Sequence, residues 1–339
     1  MDFKYKASCL RRIELTEECE IVSSGHRPQA GDVVAMKISN VNESYRSLDL
    51  EGTDLVELEE GDVVIGVLGN RAGVKGYVGE VPSKLSQGSK ISFLGAGGLF
   101  GEFKGATKEL DDPCEAEFLG YIGKTDEIIN MKDYGVETSD SLRDDAKIFA
   151  VTSSRMDAGK TTLTAKLIEE LSKEYKVGSL KLTGSARERD RLKMIDAGSK
   201  ISLDFVDAGL PSTVDDPRDV QRAAKGLLNQ AFDEDLDFVV IEFGAGIISK
   251  YCVQEVLREL EIRNQVFGIG AAALDVVGAY GLENILKDIG YELDFISGPI
   301  TDTSVGKDTI EDYVGVPALN SFNEEDMERA AEIVSENFN

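Results

Sequence analysis

Along this chain short apolar runs recur throughout, but the spacing between them changes near residue 147. In residues 1–110, "DVVAMKISNV" and "DVVIGVLGNR" are β-branched runs bounded by Gly, Asn and Asp. Each is entered from a Gly-Asp pair, at 31–32 and 61–62. The shared "GDVV" opening fits an internal duplication, and it fits equally the ordinary way a turn enters a strand, which is the reading preferred. "GYVGEVP" and "SKISFLGAGG" add two short strands, so this half is expected to be a small barrel or sandwich. From Lys147 onward, apolar runs at 147–151, 177–182, 237–243, 265–271 and 293–297 alternate with stretches of helical period. In "TLTAKLIEELSKEY", for example, Leu163, Leu167, Ile168, Leu171 and Tyr175 share one face. Such alternation predicts a parallel sheet with helices on both faces. The expected class is therefore α/β over 146–339, preceded by a smaller β-rich domain over 1–110. Residues 111–145 are rich in acids, with Pro113 and several Gly and Ser. They read as a solvated connection with one short strand or helix at "AEFLGYIG".

Composition narrows the chemistry. At 339 residues the chain can hold two cores. Its formal charge of −26 disfavours nonspecific binding to nucleic acid or anionic lipid, which need a positive face. Acids outnumber bases in 1–110 as well, and no basic stripe interleaved with aromatics marks an RNA surface. The expectation is a small-molecule substrate, with no nucleic acid and no membrane. "MDFKYKASCLRR" has no apolar stretch of signal-peptide length, so a cytoplasmic location is expected. The four cysteines (Cys9, Cys19, Cys114, Cys252) are scattered, without a C-x-x-C pair, which argues against a disulfide framework or structural zinc. His26, the single histidine, sits in "SSGHRPQAGD" and reads as a solvated loop residue. "GAGGLFGEFKG" (95–105) fails the dinucleotide fingerprint, because Phe100 stands where the third glycine belongs. It reads instead as a tight turn or close backbone approach.

The segment "KIFAVTSSRMDAGKTTLT" carries the sharpest signal. An apolar strand and an amphipathic helix flank Ser154, Arg155, Met156, Asp157, Ala158, Gly159, Lys160, Thr161 and Thr162. The spacing is that of G-x-x-x-x-G-K-[ST], except that Ser154 replaces the first glycine. Phosphate binding needs backbone amides around the anion, a helix N-terminus, a lysine for the β/γ oxygens and a hydroxyl for Mg²⁺. Two further segments end strands at the same edge. "DFVVIEFGAG" brings Glu242, then Gly244, Ala245 and Gly246, placing a carboxylate where open α/β sheets put their ligands. "KVGSLKLTGS" brings Lys181, Thr183 and Ser185, and "ARERDR" follows with Asp190, a candidate for Mg²⁺ through water or for a substrate amine. "SVGKDT" (304–309) has Gly-Lys without the loop before it or a Ser/Thr after it, and is set aside.

With "DAGKTT", "LKLTGS" and "IEFGAG" in this order, residues 147–300 resemble the dethiobiotin-synthetase and MobB-like branch of P-loop proteins. That resemblance implies phosphate contact by Lys160, Mg²⁺ at Thr161, Lys181 at the substrate or γ-phosphate, and a Mg²⁺-binding or substrate-orienting role for Glu242. Leu182, Phe243, Ser154 and Arg155 depart from the branch's pattern. Arg155 falls where more distant relatives carry a lysine reaching across a dimer, which leaves a homo-oligomer open. Over nearly its whole length the chain resembles an uncharacterised P-loop family with a β-rich N-terminal domain. "GDVVAMKISNV", "LGAGGLFG", "DAGLPST" and "IEFGAG" carry that likeness. That family is similar to one including a D-glutamate N-acetyltransferase, and it would place "DFVDAGLPST" near the sheet's ligand edge with Asp207, Ser212 and Thr213 as polar candidates.

Three functions follow as expectations. The first is a Mg²⁺–ATP-dependent ligase or kinase-like enzyme acting on a small carboxylate or amine, with Lys160, Lys181 and Glu242 in the catalytic roles. The second is an acetyl-CoA-dependent N-acetyltransferase whose loop holds the CoA phosphates. The third is a non-enzymatic nucleotide-binding accessory protein.

Overall fold

A computed structural model describes residues 3–22, 25–52, 55–125 and 127–339. The chain forms two compact units, both discontinuous in sequence. The first contains Met1–Val136, Ser185–Arg189 and Phe205–Asp215; the second contains Glu137–Gly184, Asp190–Asp204 and Asp216–Asn339.

The first unit is β-rich. Its strands are β1 (Tyr5–Lys6), β2 (Cys19–Val22), β3 (Val33–Asn40), β4 (Ser47–Asp49), β5 (Leu55–Glu57) and β6 (Val63–Leu68). They continue with β7 (Arg71–Ala72), β8 (Tyr77–Glu80), β9 (Lys90–Gly95), β10 (Leu99–Ala106), β11 (Glu115–Lys124) and β12 (Glu127–Ile128). Five of them close into a ring. β6 pairs with β3, β3 with β11, β11 with β9 and β9 with β10, all antiparallel, and β10 returns to β6 in parallel. The unit is thus a barrel, and closure removes the unpaired edges.

β11 lies inside the stretch read as a solvated connection, yet it is a ten-residue staple of the barrel. Acidic content concealed a period-two pattern: Glu115 and Glu117 are half-buried, while Ala116 and Phe118 between them are buried. The two Gly-Asp turns also prove to be a matched pair. Gly31 and Gly61 both take left-handed φ, 88° and 92°. Gly31 N–H donates to Leu68 O and Gly61 N–H to Ile38 O, each at 2.8 Å, so each turn bonds to the far end of the other's strand. "GAGG" turns the β9–β10 hairpin, where a Cβ on Gly98 would come 2.1 Å from that of Ala7. His26 is not simply solvated. Its Nε2 lies 2.8 Å from Asp32 Oδ2 and its ring stands edge-on to Tyr121, while Ser23 and Ser24 of the same turn lie outside the described residues.

The second unit holds a six-stranded, all-parallel sheet in the order β15-β14-β16-β13-β17-β18. Its strands are β13 (Ile148–Ser153), β14 (Val177–Thr183), β15 (Ser202–Asp204), β16 (Phe238–Phe243), β17 (Val266–Ala272) and β18 (Phe295–Ser297). The five apolar runs singled out above are five of these strands. The sixth, β15, is three residues long and sits at the edge, too short for periodicity to reveal. The helices are α1 (Lys160–Leu171), α2 (Glu188–Asp196), α3 (Pro217–Ala231), α4 (Val253–Leu257), α5 (Leu260–Gln265), α6 (Val276–Asp288), α7 (Ser304–Tyr313) and α8 (Glu324–Phe338). Central strands are buried on both faces. Phe149 and Val151 of β13 pack with Leu163, Leu167 and Ile168 of α1 and with Ala330 and Val334 of α8, while Ile148 and Ala150 on the opposite face are equally inaccessible.

Among the described residues, the four cysteines are buried and form no disulfide, and no helix is long and apolar enough to cross a membrane.

Candidate nucleotide site

β13 is buried at all six positions and delivers the chain to Ser154; α1 takes over at Lys160. The six residues between must reverse direction within a few ångströms, which demands left-handed backbone somewhere. It falls at Asp157 (φ 60°) and Gly159 (φ 98°), not at Ser154. That explains why serine is tolerated at the first motif position. The room a glycine would have given is supplied by a neighbour: a Cβ on Gly278 would lie 3.1 Å from Ser154 Cβ. Ser154 N–H donates to Ala272 O at 3.0 Å, pinning the loop to the end of β17. Gly159 caps α1 without a side-chain acceptor, so the helix's first-turn amides receive no side-chain cap there.

Lys160 is only 6% exposed. Its Nζ donates to Ser153 Oγ at 2.9 Å, and that hydroxyl lies 2.8 Å from Arg155 O and 3.2 Å from Ala245 O. Burial pushes the lysine from 10.5 to about 8; the Lys181 charge acts the same way and Glu242 opposes. Glu242 is 3% exposed, and its Oε1 accepts from Thr161 Oγ1 at 3.1 Å. Its Oε2 is buried with no hydrogen-bond partner. Burial raises the Glu242 carboxyl, against the pull of Lys181 and Lys160. Lys181 stands opposite Glu242 in the β14–β16 register and forms an ion pair with Asp190 at 2.5 Å. Burial lowers Lys181, but Asp190 and Glu242 together outweigh it, so the net displacement is upward.

The glycine turn after β16 is a wall of this site. A Cβ on Gly244 would lie 2.1 Å from Thr183 O, and one on Gly246 would lie 2.6 Å from Arg155 Cα. Ala245 between them takes φ 68°. Thr183 Oγ1 donates to Gly244 O at 3.0 Å. These four residues, expected to meet substrate, are buried and spend their polar atoms and close approaches on holding β14, β16 and the loop together. Ser185, Asp207, Ser212 and Thr213 belong to the β-rich unit, where Ser185 bridges Ser212 and Asp207 is bound by Arg11 at 2.6 Å.

Two residues missed by sequence reasoning complete the site. Ser153, the last residue of β13, links the lysine to the loop, and a serine just before the motif was a readable sign. Asp204 is 1% exposed and stands opposite Lys181 in the β14–β15 register, on a strand too short to be noticed.

A hard divalent cation fits this donor set. Thr161 Oγ1 and a buried carboxylate with an unused oxygen suit Mg²⁺, which takes few protein ligands and draws the rest from phosphate and water.

No family model matches the chain, and no curated protein matches it. Solved structures give weak likenesses. A ParA family ATPase from Chlorobium tepidum TLS is 14% identical with a TM-score of 0.34, over 56% of this chain and 92% of that one. The signal recognition particle receptor FtsY from Elizabethkingia anophelis is 17% identical with a TM-score of 0.39, over 63% and 76%. A plasmid partition protein from Borrelia burgdorferi B31 bound to AMPPNP is 14% identical with a TM-score of 0.39, over 57% and 98%. Likeness at this level does not bear on activity.

Proposed function

We propose that the α/β unit binds Mg²⁺–ATP and uses it as a ligase or kinase-like enzyme to activate a small carboxylate or amine. The observation that carries this reading is the buried Glu242 bonded to half-buried Thr161 beside Lys160: a carboxylate with a free oxygen, a hydroxyl and a cation at an uncapped helix start. The order of "DAGKTT", "LKLTGS" and "IEFGAG" supports the dethiobiotin-synthetase-like assignment. The formal charge of −26 supports a small-molecule partner over nucleic acid or a membrane.

In this reading the loop amides and Lys160 bind the β- and γ-phosphates, and Lys160 leaves Ser153 to do so. Thr161 and Glu242 would hold Mg²⁺, which when bound neutralises charge on the phosphates. Lys181, kept charged by Asp190, faces the same carboxylate and offsets charge developing on the transferred group. The orphaned Glu242 oxygen favours this over CoA binding, since holding CoA phosphates calls for no metal-binding carboxylate. Calorimetric titration with ATP plus Mg²⁺, ATP plus EDTA, and acetyl-CoA is the test. ATP should bind tightly only with Mg²⁺, and Lys160→Ala should abolish it. Acetyl-CoA binding that is indifferent to Mg²⁺ would discard the reading in favour of an acyltransferase.

A further inference from the structure

We propose that the β-rich unit holds an anion site of its own, centred on Arg71, which takes the carboxylate or phosphoryl oxygens of a small molecule. Among the described residues three basic side chains are buried: Arg71, Lys160 and Lys225. Lys225 is paired with Glu259 and Glu261, each at 2.5 Å. Lys160, the lysine of the phosphate loop, bonds two uncharged groups, Ser153 Oγ and Arg155 O. Arg71, 7% exposed, shows the same signature within the barrel. It donates to the Tyr45 hydroxyl at 3.1 Å and to Leu94 O, and it lies over the rings of Tyr45 and Tyr77 at 5.2 and 5.9 Å. No carboxylate among the described residues forms an ion pair with it. The chain has 63 acids against 37 bases, so this is not for want of acids. A charge buried beside neutral groups alone is costly, and such a cation points to a counter-charge that arrives from outside.

The hydrogen bonds of the guanidinium fit this reading. Nη1 spends its hydrogens on Tyr45 Oη and Leu94 O. That leaves Nε–H and Nη2–H, the side-on pair that grips a carboxylate or phosphate with two parallel bonds. Nε is buried without a hydrogen-bond partner, and so are the hydroxyls of Tyr77 and Thr107. The three lie at one corner of the barrel. β10 pairs Ala106 with Tyr77, and Thr107 N–H donates to Gly76 O at 3.1 Å. Gly76 in turn abuts the fork: a Cβ there would come 3.0 Å from Arg71 Nη2, so the glycine keeps that prong clear. Every unspent group can donate a hydrogen bond, which selects an anion. Arg187, in the same unit, adds positive charge. Burial raises the Tyr45 hydroxyl, but Arg71 and Arg187 outweigh it, and the net displacement is downward.

The test is calorimetric titration of the full chain with inorganic phosphate and with acetate at constant ionic strength. Lys160→Met is present throughout, so that the phosphate loop contributes nothing. An anion should bind one-to-one; phosphate as the tighter assigns a phosphoryl group to the ligand, and acetate as the tighter assigns a carboxylate. Arg71→Lys keeps the charge without the fork and should weaken binding by about 10- to 100-fold, the worth of a charge-assisted hydrogen bond. Tyr77→Phe covers the case in which Arg71→Lys does not fold. It removes one unspent hydroxyl and keeps the ring, so binding should weaken by about 3- to 10-fold while the anion-free protein loses no stability. Binding of neither anion below about 10 mM, or binding unaltered in Arg71→Lys and Tyr77→Phe alike, overturns the proposal. The proposal does not rest on the nucleotide reading: a wild-type chain that binds no ATP leaves it standing, and its own failure leaves the nucleotide site untouched.

Discussion

Replacing Lys160 by methionine should make the ligand-free protein more stable while ending nucleotide binding. The lysine is 6% exposed, and its folded-state pKa is about 8 against 10.5 ordinarily. That difference corresponds to about 3 kcal/mol favouring the unfolded chain whenever the lysine is charged. Methionine keeps the length and apolar stem but carries no charge. It also forfeits the bond from Nζ to Ser153 Oγ, worth about 1 kcal/mol, although Ser153 retains carbonyl acceptors on Arg155 and Ala245. The net gain at pH 7 is about 2 kcal/mol, or roughly 4 °C in Tm. The pH dependence carries a definite sign. Between about 8 and 10.5 the unfolded chain holds the Lys160 proton and the folded chain does not, so the wild type gains stability as pH rises through that window. The methionine variant lacks this gain, and its advantage should shrink toward pH 10. Helical circular dichroism during urea unfolding at pH 7 and pH 10 measures this, since most of the α-helix lies in the α/β unit. A variant less stable than wild type at pH 7, or an advantage that does not change with pH, would refute the reasoning.

Other outcomes test neighbouring parts of the structure. Glu242→Gln should keep the fold but cost the Mg²⁺ dependence of ATP binding, read as equal affinities with Mg²⁺ and with EDTA. Gly244→Ala drives a Cβ to 2.1 Å from Thr183 O and should destabilise by about 1–3 kcal/mol in urea. Gly281→Ala, in the interior of α6 with nothing within 4 Å of the new carbon, should instead stabilise by about 1 kcal/mol. Phe118→Ala should cost about 3–5 kcal/mol of the barrel's stability, as it empties a buried position on β11.

What the sequence by itself determined was everything that depends on near neighbours along the chain. Buried parallel strands are continuous apolar runs, so β13, β14, β16, β17 and β18 were legible, and the loop from Ser154 to Thr162 was legible because its chemistry lies in consecutive residues. Its odd serine was legible only as an oddity. The left-handed turns at Asp157 and Gly159 and the space left by Gly278 explain it, and those depend on an element more than a hundred residues away. The same limit hid β11, whose acids are ordinary on the outward face of a strand once its inward partners exist. It also hid the partner of Asp207. The polar pattern around it suits a ligand edge, and the guanidinium that binds it comes from position 11. Only the tertiary structure could decide this, because a buried charge settles where its counter-charge is folded to meet it, and local sequence carries no record of that partner.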